Sequence, residues 1–305
     1  MKTNTLPQTD VLHARAAIST IIEPGDGVAG TLIDALGPVA AYDAITGNGL
    51  QAALQDAGVG ERTAQESISR WTPRISSSVI AHNLASLERA NVTLIDPDTI
   101  PALADLGTQR PVALYVRGNA SLLTTPRPIC WVGARASTGY GEAITNEIVS
   151  DLAEHQVTIL SGAAYGIDGA AHRAALAAGI PTVAVVAGGV GRPYPAGHSE
   201  LIARIAEHGA VVSEVPLDTA PSRWRFLSRN RVLAALTRVT IVSEAGWRSG
   251  SLNTAGHAAA LGRGLGAVPG PLTSAASSGC HRLIREYNAA LITSARDVVT
   301  LLDGE

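Results

Sequence analysis

The chain has 305 residues, of which 46% are hydrophobic and 16% are charged, a composition typical of one large or two modest globular domains. This composition excludes a disordered chain, and no apolar run approaches the roughly 20 residues that span a bilayer. The formal net charge of -3 argues against general affinity for nucleic acid, although binding depends on local fields. We therefore expect a cytoplasmic protein that is not bound to a membrane.

The first 75 residues predict a small helical (SAM-like) domain. Candidate helices cover residues 10–22, 29–36 and 39–45, and two more fit between Leu50 and Ser69. The third can open at Pro38, because proline is tolerated in a first helical turn. Such a domain could bind DNA or dock a protein, and its own sequence does not decide between these roles.

Residues 76–305 predict a second domain in which strands and helices alternate. The predicted strands are 91–95, 113–117, 128–133, 157–161, 182–187, 210–214, 239–244 and 264–268. The predicted helices are 141–154, 168–178, 199–208, 221–236, 251–262 and 282–287. This alternation indicates an α/β fold with a Rossmann-like, doubly wound, mostly parallel sheet that helices cover on both faces.

The two cysteines indicate no metal site. Cys130 lies in the apolar run PICWVG and is predicted to be a buried strand residue, whereas Cys280 follows Gly279 in a predicted loop. Neither cysteine has a CxxC partner, and a disulfide between them is not favoured in a cytosolic protein.

Glycine-rich turns follow five of the predicted strands. They cover residues 132–141, 161–168, 188–191, 244–251 and 269–271. The carboxyl ends of parallel strands share one edge of the sheet, and helix N-termini there attract anions. Each turn alone could be a simple βα connection, but several of them with Ser, Thr and Arg predict a groove lined for phosphates. The GxGxxG and GxxxxGK[ST] spacings are missing, so we expect no NAD or ATP cofactor.

The segment 221–231, PSRWRFLSRNR, combines four arginines with a tryptophan and the only phenylalanine of the chain. Arginines neutralise backbone phosphates and aromatic faces stack on unpaired bases, so this mixture favours single-stranded nucleic acid. Alternatively, the segment is an amphipathic helix with its aromatic residues in the core, and we expect Trp224 to be a core residue. Lys2 is the single lysine, and this preference for arginine could also reflect a GC-rich genome.

Catalytic interpretations remain open at this point. Asp168 and His172 lie four residues apart on a predicted helix and could form an acid–base pair, or the carboxylate could open the helix and hydrogen-bond the histidine. Glu244 at a strand end is a candidate general base, or it could orient the adjacent Gly-Ser loop. No GxSxG elbow and no metal-ligand spacing occur.

Eight motifs in order resemble the DNA-processing protein A (DprA/Smf) family. They are VGARAS, LSGAAYGIDGAAH, AVVAGGVGRPYP, VVSEVP, RFLSRNR, SEAGWRSGSLNTA, GAVPGPLTS and SGCHRLI, and they extend over about residues 85–300. The resemblance implies a protein without catalytic activity that binds single-stranded DNA, forms a homodimer and loads the RecA recombinase in natural transformation or recombination. It also implies an apolar dimer face late in the Rossmann-like domain.

The resemblance transfers DNA contacts to particular residues. Arg135 matches the arginine of the first turn, Phe226 the stacking aromatic, and Ser249 the loop at the pocket floor. The full predicted set is Gly133, Arg135, Ser137, Gly162, Gly166, Arg223, Arg225, Phe226, Arg229, Asn230, Arg231, Arg248, Ser249, Gly250, Ser251 and Thr254. Leu227 departs from a common proline and Ala134 from a common Thr or Ser. The chain ends at Glu305, so we expect no C-terminal winged-helix domain.

Two other functions compete with this one. A phosphoribohydrolase of the lysine-decarboxylase-like type shares the general fold, but the required PGGxGTxxE pattern is replaced by SEAGWRSGSL. A dimeric scaffold that docks a recombinase without its own DNA site is the third alternative, and the arginine-aromatic segment argues against it.

Overall fold

The computed structural model describes residues 8–304, apart from the side chains of Gln8, Thr9 and Glu88. Six α-helices of the described part come first: α1 (Gln8–Ile21), α2 (Gly27–Leu36), α3 (Pro38–Thr46), α4 (Leu50–Asp56), α5 (Glu61–Trp71) and α6 (Ser77–Arg89). The first five confirm the predicted helices, and the sequence analysis missed α6. Because Asp26 accepts hydrogen bonds from the amides of Val28 and Ala29, it caps α2 at its start.

These helices enclose a core of their own. Leu32, Ile45, Leu54 and Trp71 are fully buried in it. Ile80 of α6 joins the same core, so the helical region continues beyond residue 75 to Arg89. A domain boundary near residue 75 stays a prediction.

Within residues 8–304, nine strands form one sheet. They are β1 (Thr93–Ile95), β2 (Leu114–Gly118), β3 (Pro128–Val132), β4 (Thr158–Ser161), β5 (Thr182–Val185), β6 (Ala210–Ser213), β7 (Val239–Val242), β8 (Gly264–Ala267) and β9 (Ala290–Leu291). Their order is β1-β2-β6-β5-β4-β3-β7-β8-β9, and only the β1–β2 and β2–β6 pairs are antiparallel among these strands. The mostly parallel Rossmann-like sheet is therefore confirmed.

Seven α-helices of the described part of the chain follow β3 and pack on the faces of the sheet. They are α7 (Gly139–Asp151), α8 (Ile167–Ala177), α9 (Ser199–His208), α10 (Arg223–Ala235), α11 (Ser251–Ala260), α12 (Ser278–Glu286) and α13 (Ala295–Asp303). The sequence analysis missed α13 and the two-residue strand β9.

Both cysteines are buried free thiols. Cys130 lies in β3 as predicted. The loop predicted for Cys280 is wrong, since this residue faces the core from the first turn of α12.

The strand order reverses between β3 and β7. From β3 the chain moves outward through β4, β5 and β6, and it then returns to the other side of β3 as β7. The loops that leave β3 and β7 therefore diverge, and a crevice opens between them at the carboxyl ends of the strands. This switch point positions the candidate site.

The helical region is fastened to the sheet through buried polar contacts. The hydroxyls of Ser19 and Tyr115 lie 2.6 Å apart, and Asn83 Nδ2 donates to Tyr115 Oη at 3.0 Å. Arg15 donates to Val112 O at 3.0 Å and pairs with Asp96 and Asp98. These contacts join helices α1 and α6 to strand β2.

Within residues 8–304, no single helix is long and apolar enough to cross a membrane. Helices α2 and α3 together reach the necessary length and hydropathy, but they meet at 118°. Their apolar residues Leu32 and Ile45 are buried in the helical core.

Candidate functional site

A groove of about 520 Å³ opens at the switch point. It lies between the turn after β3, the turn after β7 and the first half of α10. Ten of the sixteen predicted contact residues line it: Gly133, Arg135, Phe226, Arg229, Asn230, Arg248, Ser249, Gly250, Ser251 and Thr254. The groove therefore collects residues from three separate motifs of the sequence.

A buried carboxylate shapes the first glycine turn. Glu244 accepts hydrogen bonds from the amide of Thr138 at 2.8 Å and from its hydroxyl at 2.6 Å. Thr138 in turn caps α7 by accepting from the amide of Gly141. Ala134 N also donates to Glu244 O at 2.7 Å, which ties the turn after β3 to the end of β7. Glu244 therefore orients the first turn, not the adjacent Gly-Ser loop that the sequence suggested.

Asp168 shapes the second glycine turn in the same way. Its carboxylate accepts from the amides of Gly162 at 3.1 Å and Ala164 at 3.4 Å. Burial raises the pKa of this carboxyl above its ordinary value of 3.8, while the neighbouring Arg229 charge and the two amides oppose that shift. The side chain lies at the floor of the groove.

Gly166 lets the second turn touch the first. Its φ of +74° favours glycine, and a Cβ there would overlap the carbonyl oxygens of Ala134 and Arg135. Gly162 has a related role, because a Cβ at this position would overlap the Arg229 guanidinium. These two glycines do not line the groove, but they allow the close contacts that position the first turn and Arg229, which do line it.

Helix α10 presents an aromatic ring and a guanidinium to the groove. The Arg135 guanidinium lies over the Phe226 ring, 4.6 Å from its centroid, within cation–π distance. Arg229 is buried beneath them, where its Nη1 donates to Val185 O. Burial lowers the pKa of Arg229, and the charge of Asp168 opposes that effect. Asn230 Nδ2 donates to Asn253 Oδ1 at 3.0 Å and joins α10 to α11.

The fourth turn brings hydroxyls and a helix N-terminus to the opposite wall. Gly250 is the N-cap residue of α11 and has no side chain to cap this helix. The hydroxyls of Ser249 and Ser251 lie 2.8 Å apart. Arg248 is exposed beside them, and Thr254 is buried one turn later. Exposed positive charge and hydroxyl donors at a helix N-terminus suit a phosphate group.

A second cleft of about 380 Å³ continues the groove past Phe226. Arg135, Phe226 and Leu227 line both spaces. The second cleft adds Arg223 and Tyr194, whose ring lies 5.7 Å from the Phe226 ring. Together the two spaces form an extended path with guanidiniums and aromatic rings along it.

The family model for DNA recombination-mediator protein A matches residues 91–303. The chain belongs to this family. Within it, the DNA processing protein DprA of Mycobacterium tuberculosis is 43% identical over 301 residues, which cover 94% of this chain and 74% of that protein. Protein Smf of Escherichia coli K12 is 39% identical over 249 residues, which cover 81% of this chain and 65% of that protein.

Solved structures of the DprA family share the fold. The X-ray structure of DprA from Streptococcus pneumoniae matches with a TM-score of 0.72 and 29% identity, over 96% of this chain and 95% of that one. DprA from Helicobacter pylori, described for its single-stranded DNA binding mode, matches with a TM-score of 0.62 and 29% identity, over 70% of this chain and 96% of that one. The DprA/Smf resemblance seen in the sequence is confirmed.

The other six predicted residues of this DprA-family chain do not line the groove. Gly162 and Gly166 lie behind it, and Arg223 lies in the second cleft. Ser137 donates to Glu142 at 2.6 Å at the start of α7. The remaining two residues are Arg225 and Arg231.

Arg225 and Arg231 are engaged by carboxylates. Arg225 donates to both oxygens of Glu23 at 2.8 and 2.9 Å. Arg231 donates to both oxygens of Glu214 at 2.7 and 2.6 Å, in a pair whose side chains are only 4% and 5% exposed. The guanidinium donors that suit phosphates are thus directed into the protein at both positions.

Two of the five glycine turns lie away from the groove. Gly189 of the third turn packs against the carbonyl oxygens of Pro216 and Leu217. Gly270 of the fifth turn packs against Ser277. These turns make close backbone contacts elsewhere, so the expectation that several turns form one groove holds for the first, second and fourth.

Two expectations about single side chains are wrong. Asp168 and His172 do not bond each other, since His172 Nδ1 lies 2.7 Å from Thr182 Oγ1 and burial lowers the pKa of this imidazole to about 3. Trp224 is not a core residue, because it is 62% exposed.

Sequence reasoning missed Tyr194 as part of the path and Asn253 as the residue that joins α11 to α10. Tyr194 stands between two prolines directly after the third glycine turn, and an aromatic residue in such a loop was a usable signal. Asn253 gave no signal, because its partner Asn230 is 23 residues away in the chain. Within the described part of the chain, no three His, Cys, Asp or Glu residues are grouped to hold a metal ion.

Proposed function

We propose that this protein binds single-stranded DNA along the groove and the second cleft, and that it protects the strand and loads the RecA recombinase onto it. The observation that carries the proposal is the Arg135 guanidinium lying over the Phe226 ring where the two spaces meet. Its homologue from Helicobacter pylori, which has a described single-stranded DNA binding mode, supports the same role.

The chemistry of the path fits an unpaired strand. Arg135, Arg223 and Arg248 are exposed and can neutralise successive phosphates. The rings of Phe226 and Tyr194 offer faces on which unpaired bases stack with little sequence preference. A path made of two connected spaces suits a polymer better than a small metabolite.

The carboxylates at the groove support a binding role over hydrolysis of nucleotides. Asp168 and Glu244 are both buried and both hold backbone amides of the turns. A general base needs a carboxylate free to take a proton from water. We expect no release of free base from nucleoside monophosphates, and such release would favour the phosphoribohydrolase alternative.

Binding of labelled oligonucleotides, followed by fluorescence anisotropy, tests the proposal. We expect clear preference for single over double strands, and an affinity that falls as salt rises because phosphate contacts release counterions. Absence of binding at low salt would overturn the proposal.

The recombinase step has its own measurement. On single strands already coated by single-strand-binding protein, the DNA-dependent ATPase activity of RecA should start sooner when the protein is added. If the protein binds oligonucleotides but does not shorten the lag before RecA ATPase activity, RecA loading is contradicted and the DNA-binding role is retained.

We also propose a homodimer that uses the late part of the Rossmann-like domain. Leu272 is 91% exposed there, and the exposed rings of Trp247 and Tyr287 both lie within cation–π distance of Arg282. Large apolar residues grouped on a surface mark contact sites. Sedimentation equilibrium should give a dimer that Leu272→Asp weakens, and a wild-type monomer at all concentrations would contradict this part of the proposal.

A further inference from the structure

A third cleft lies on the other side of α10, between this helix and the N-terminal helices. Its volume is about 660 Å³, larger than that of the groove. Its walls come from the turn after α1, the end of α5 and the start of α10, and they include Glu23, Asp26, Arg70, Trp71, Arg74 and Trp224. Nothing in the proposed DNA path so far uses it.

Trp224 stands on the rim of this cleft. Trp71 and Trp131 are fully buried, so an indole with 62% exposure on the first turn of α10 is not there to fill the core. Trp224, Ser228 and Arg231 share one face of the helix, since they are spaced at i, i+4 and i+7. Ser228 donates to Pro24 O at 2.8 Å, which places Trp224 one turn before the contact with the turn after α1.

The acidic side chains of the cleft are already neutralised. Glu23 is bound by Arg225 and Arg74, and Asp26 by Arg70, Trp71 and two backbone amides. Two of these guanidiniums, Arg70 and Arg74, line the cleft, and the Arg70 side chain stays 56% exposed whereas that of its partner Asp26 is 12% exposed. The cleft therefore presents an exposed guanidinium beside an exposed aromatic face, the combination that single-stranded nucleic acid needs.

The first turn of α10 borders both the second cleft and the third cleft. Arg223 and Phe226 line the second cleft, and Trp224 lies between them in the chain. Because an α-helix rises 1.5 Å per residue, these side chains start within one helical turn of about 5.4 Å. The second cleft and the third cleft therefore adjoin at the start of α10, where Arg223 of one and Trp224 of the other are consecutive residues.

We propose that this third cleft is a further nucleobase-binding subsite, in which Trp224 stacks on a base and Arg70 contacts the adjoining phosphate. This inference rests on the proposed function, because the occupant is the continuation of the strand held in the groove. It gives the helical region a direct part in DNA binding.

Intrinsic tryptophan fluorescence tests the subsite. Trp71, which lines the same cleft, and Trp131 are both fully buried, so quenching by a base that stacks directly on an indole reports on the exposed Trp224 and Trp247. Oligo(dT) from about 4 to about 16 nucleotides should be titrated while anisotropy of a label reports binding separately. We expect quenching only with the longer oligonucleotides, lost in Trp224→Phe and retained in Trp247→Phe.

Affinity gives a second readout. Trp224→Ala should weaken binding of long oligonucleotides by roughly 5- to 100-fold, the range for loss of one stacked base, and leave short ones unaffected. The subsite would be contradicted if quenching persisted in Trp224→Phe and Trp224→Ala bound oligonucleotides of every length with wild-type affinity. The proposal that the groove binds DNA would then be unaffected. If no oligonucleotide binds the wild-type protein, the proposed function itself fails.

Discussion

Two arginines that the sequence analysis assigned to the DNA site, Arg135 and Arg231, have different roles in this protein. Arg135 is exposed over an aromatic ring, whereas Arg231 is buried against Glu214. The sequence assigned both to DNA, because residue type and motif do not reveal where a guanidinium finds its partner. Substitutions should therefore separate affinity from stability at these two positions.

Arg135→Ala should weaken binding of single-stranded DNA and leave thermal stability unchanged. Loss of one phosphate contact should reduce the slope of log affinity against log salt by roughly 0.7, and loss of the cation–π contact should weaken binding further. Anisotropy titrations at several salt concentrations measure both effects. Arg204→Ala, which removes an exposed arginine from α9 outside the groove, is the matched control. Equal slopes for wild type and Arg135→Ala would remove this residue from the site.

Arg231→Ala should instead destabilise the fold. It leaves the Glu214 carboxylate buried without its partner, and breaking a buried pair in this way costs about 3–5 kcal/mol. Urea unfolding followed by circular dichroism measures the loss. The double variant Arg231→Leu with Glu214→Leu should lose less, because no charge is left buried alone. A single variant as stable as wild type would contradict the role of this pair.

At the scale of elements, the groove depends on how closely the turns approach each other. Gly166 and the first turn touch through backbone atoms, and Glu244 and Asp168 hold the two turns through their amides. These contacts fix the position of Arg135 relative to α10. The site therefore depends on backbone packing that is hidden behind it.

Gly166→Ala should disturb the groove without touching a contact residue. A side chain at φ +74° is strained by about 1–3 kcal/mol, and its Cβ would push the first turn away. We expect a lower thermal midpoint and weaker oligonucleotide binding. Gly256→Ala on α11, where a Cβ meets open space, should change neither property for the worse. Wild-type affinity in Gly166→Ala would show that the turns are not coupled.

The sequence predicted most elements but not all of their surroundings. The first five N-terminal helices and eight of the strands were predictable, because their apolar spacing is regular. Helix α6 was missed because it begins within the serine run that ends at Ser78, and serine is typical of loops as well as helix starts. Its packing against α1 is visible only in the folded structure. Trp224 was assigned to the core because the sequence does not reveal which face of the first turn of α10 packs against the rest of the protein. Partners such as Arg225 and Glu23 are 202 residues apart and leave no local pattern.

At the scale of the whole molecule, α10 holds the helical region and the sheet together. Its residues Arg225 and Ser228 bond the turn after α1, while Arg229 reaches the end of β5. The Ser19, Tyr115 and Asn83 cluster adds a second fastening. We therefore expect the helical region and the sheet to unfold together.

The Glu23 cluster should make this stability depend on pH. Burial raises the pKa of Glu23, but its bonds to Arg225 and Arg74 outweigh burial, so the pKa lies below its ordinary value of 4.5. Ionised Glu23 thus stabilises the fold above pH 4.5, and this contribution is lost as the pH falls through the lowered pKa. Glu23→Gln should be less stable than wild type at pH 7 in urea unfolding, and the gap should close in acid.

Glu66→Gln provides the comparison for that experiment. Glu66 pairs with Arg62 on the exposed surface of α5, where such a pair contributes at most about 1 kcal/mol. We expect little change in stability from this variant at either pH. A gap between Glu23→Gln and wild type that stays constant from pH 7 to acid would contradict the linkage.

The two buried cysteines give the protein a practical property. Burial raises the pKa of both thiols to about 12, so roughly one in 10⁵ is a reactive thiolate at pH 7. The native protein should therefore resist mild oxidants and leave maleimides unconsumed until it unfolds. A cysteine introduced on the surface could then carry a single fluorophore with both native cysteines in place, and the path of a bound strand could be followed by energy transfer.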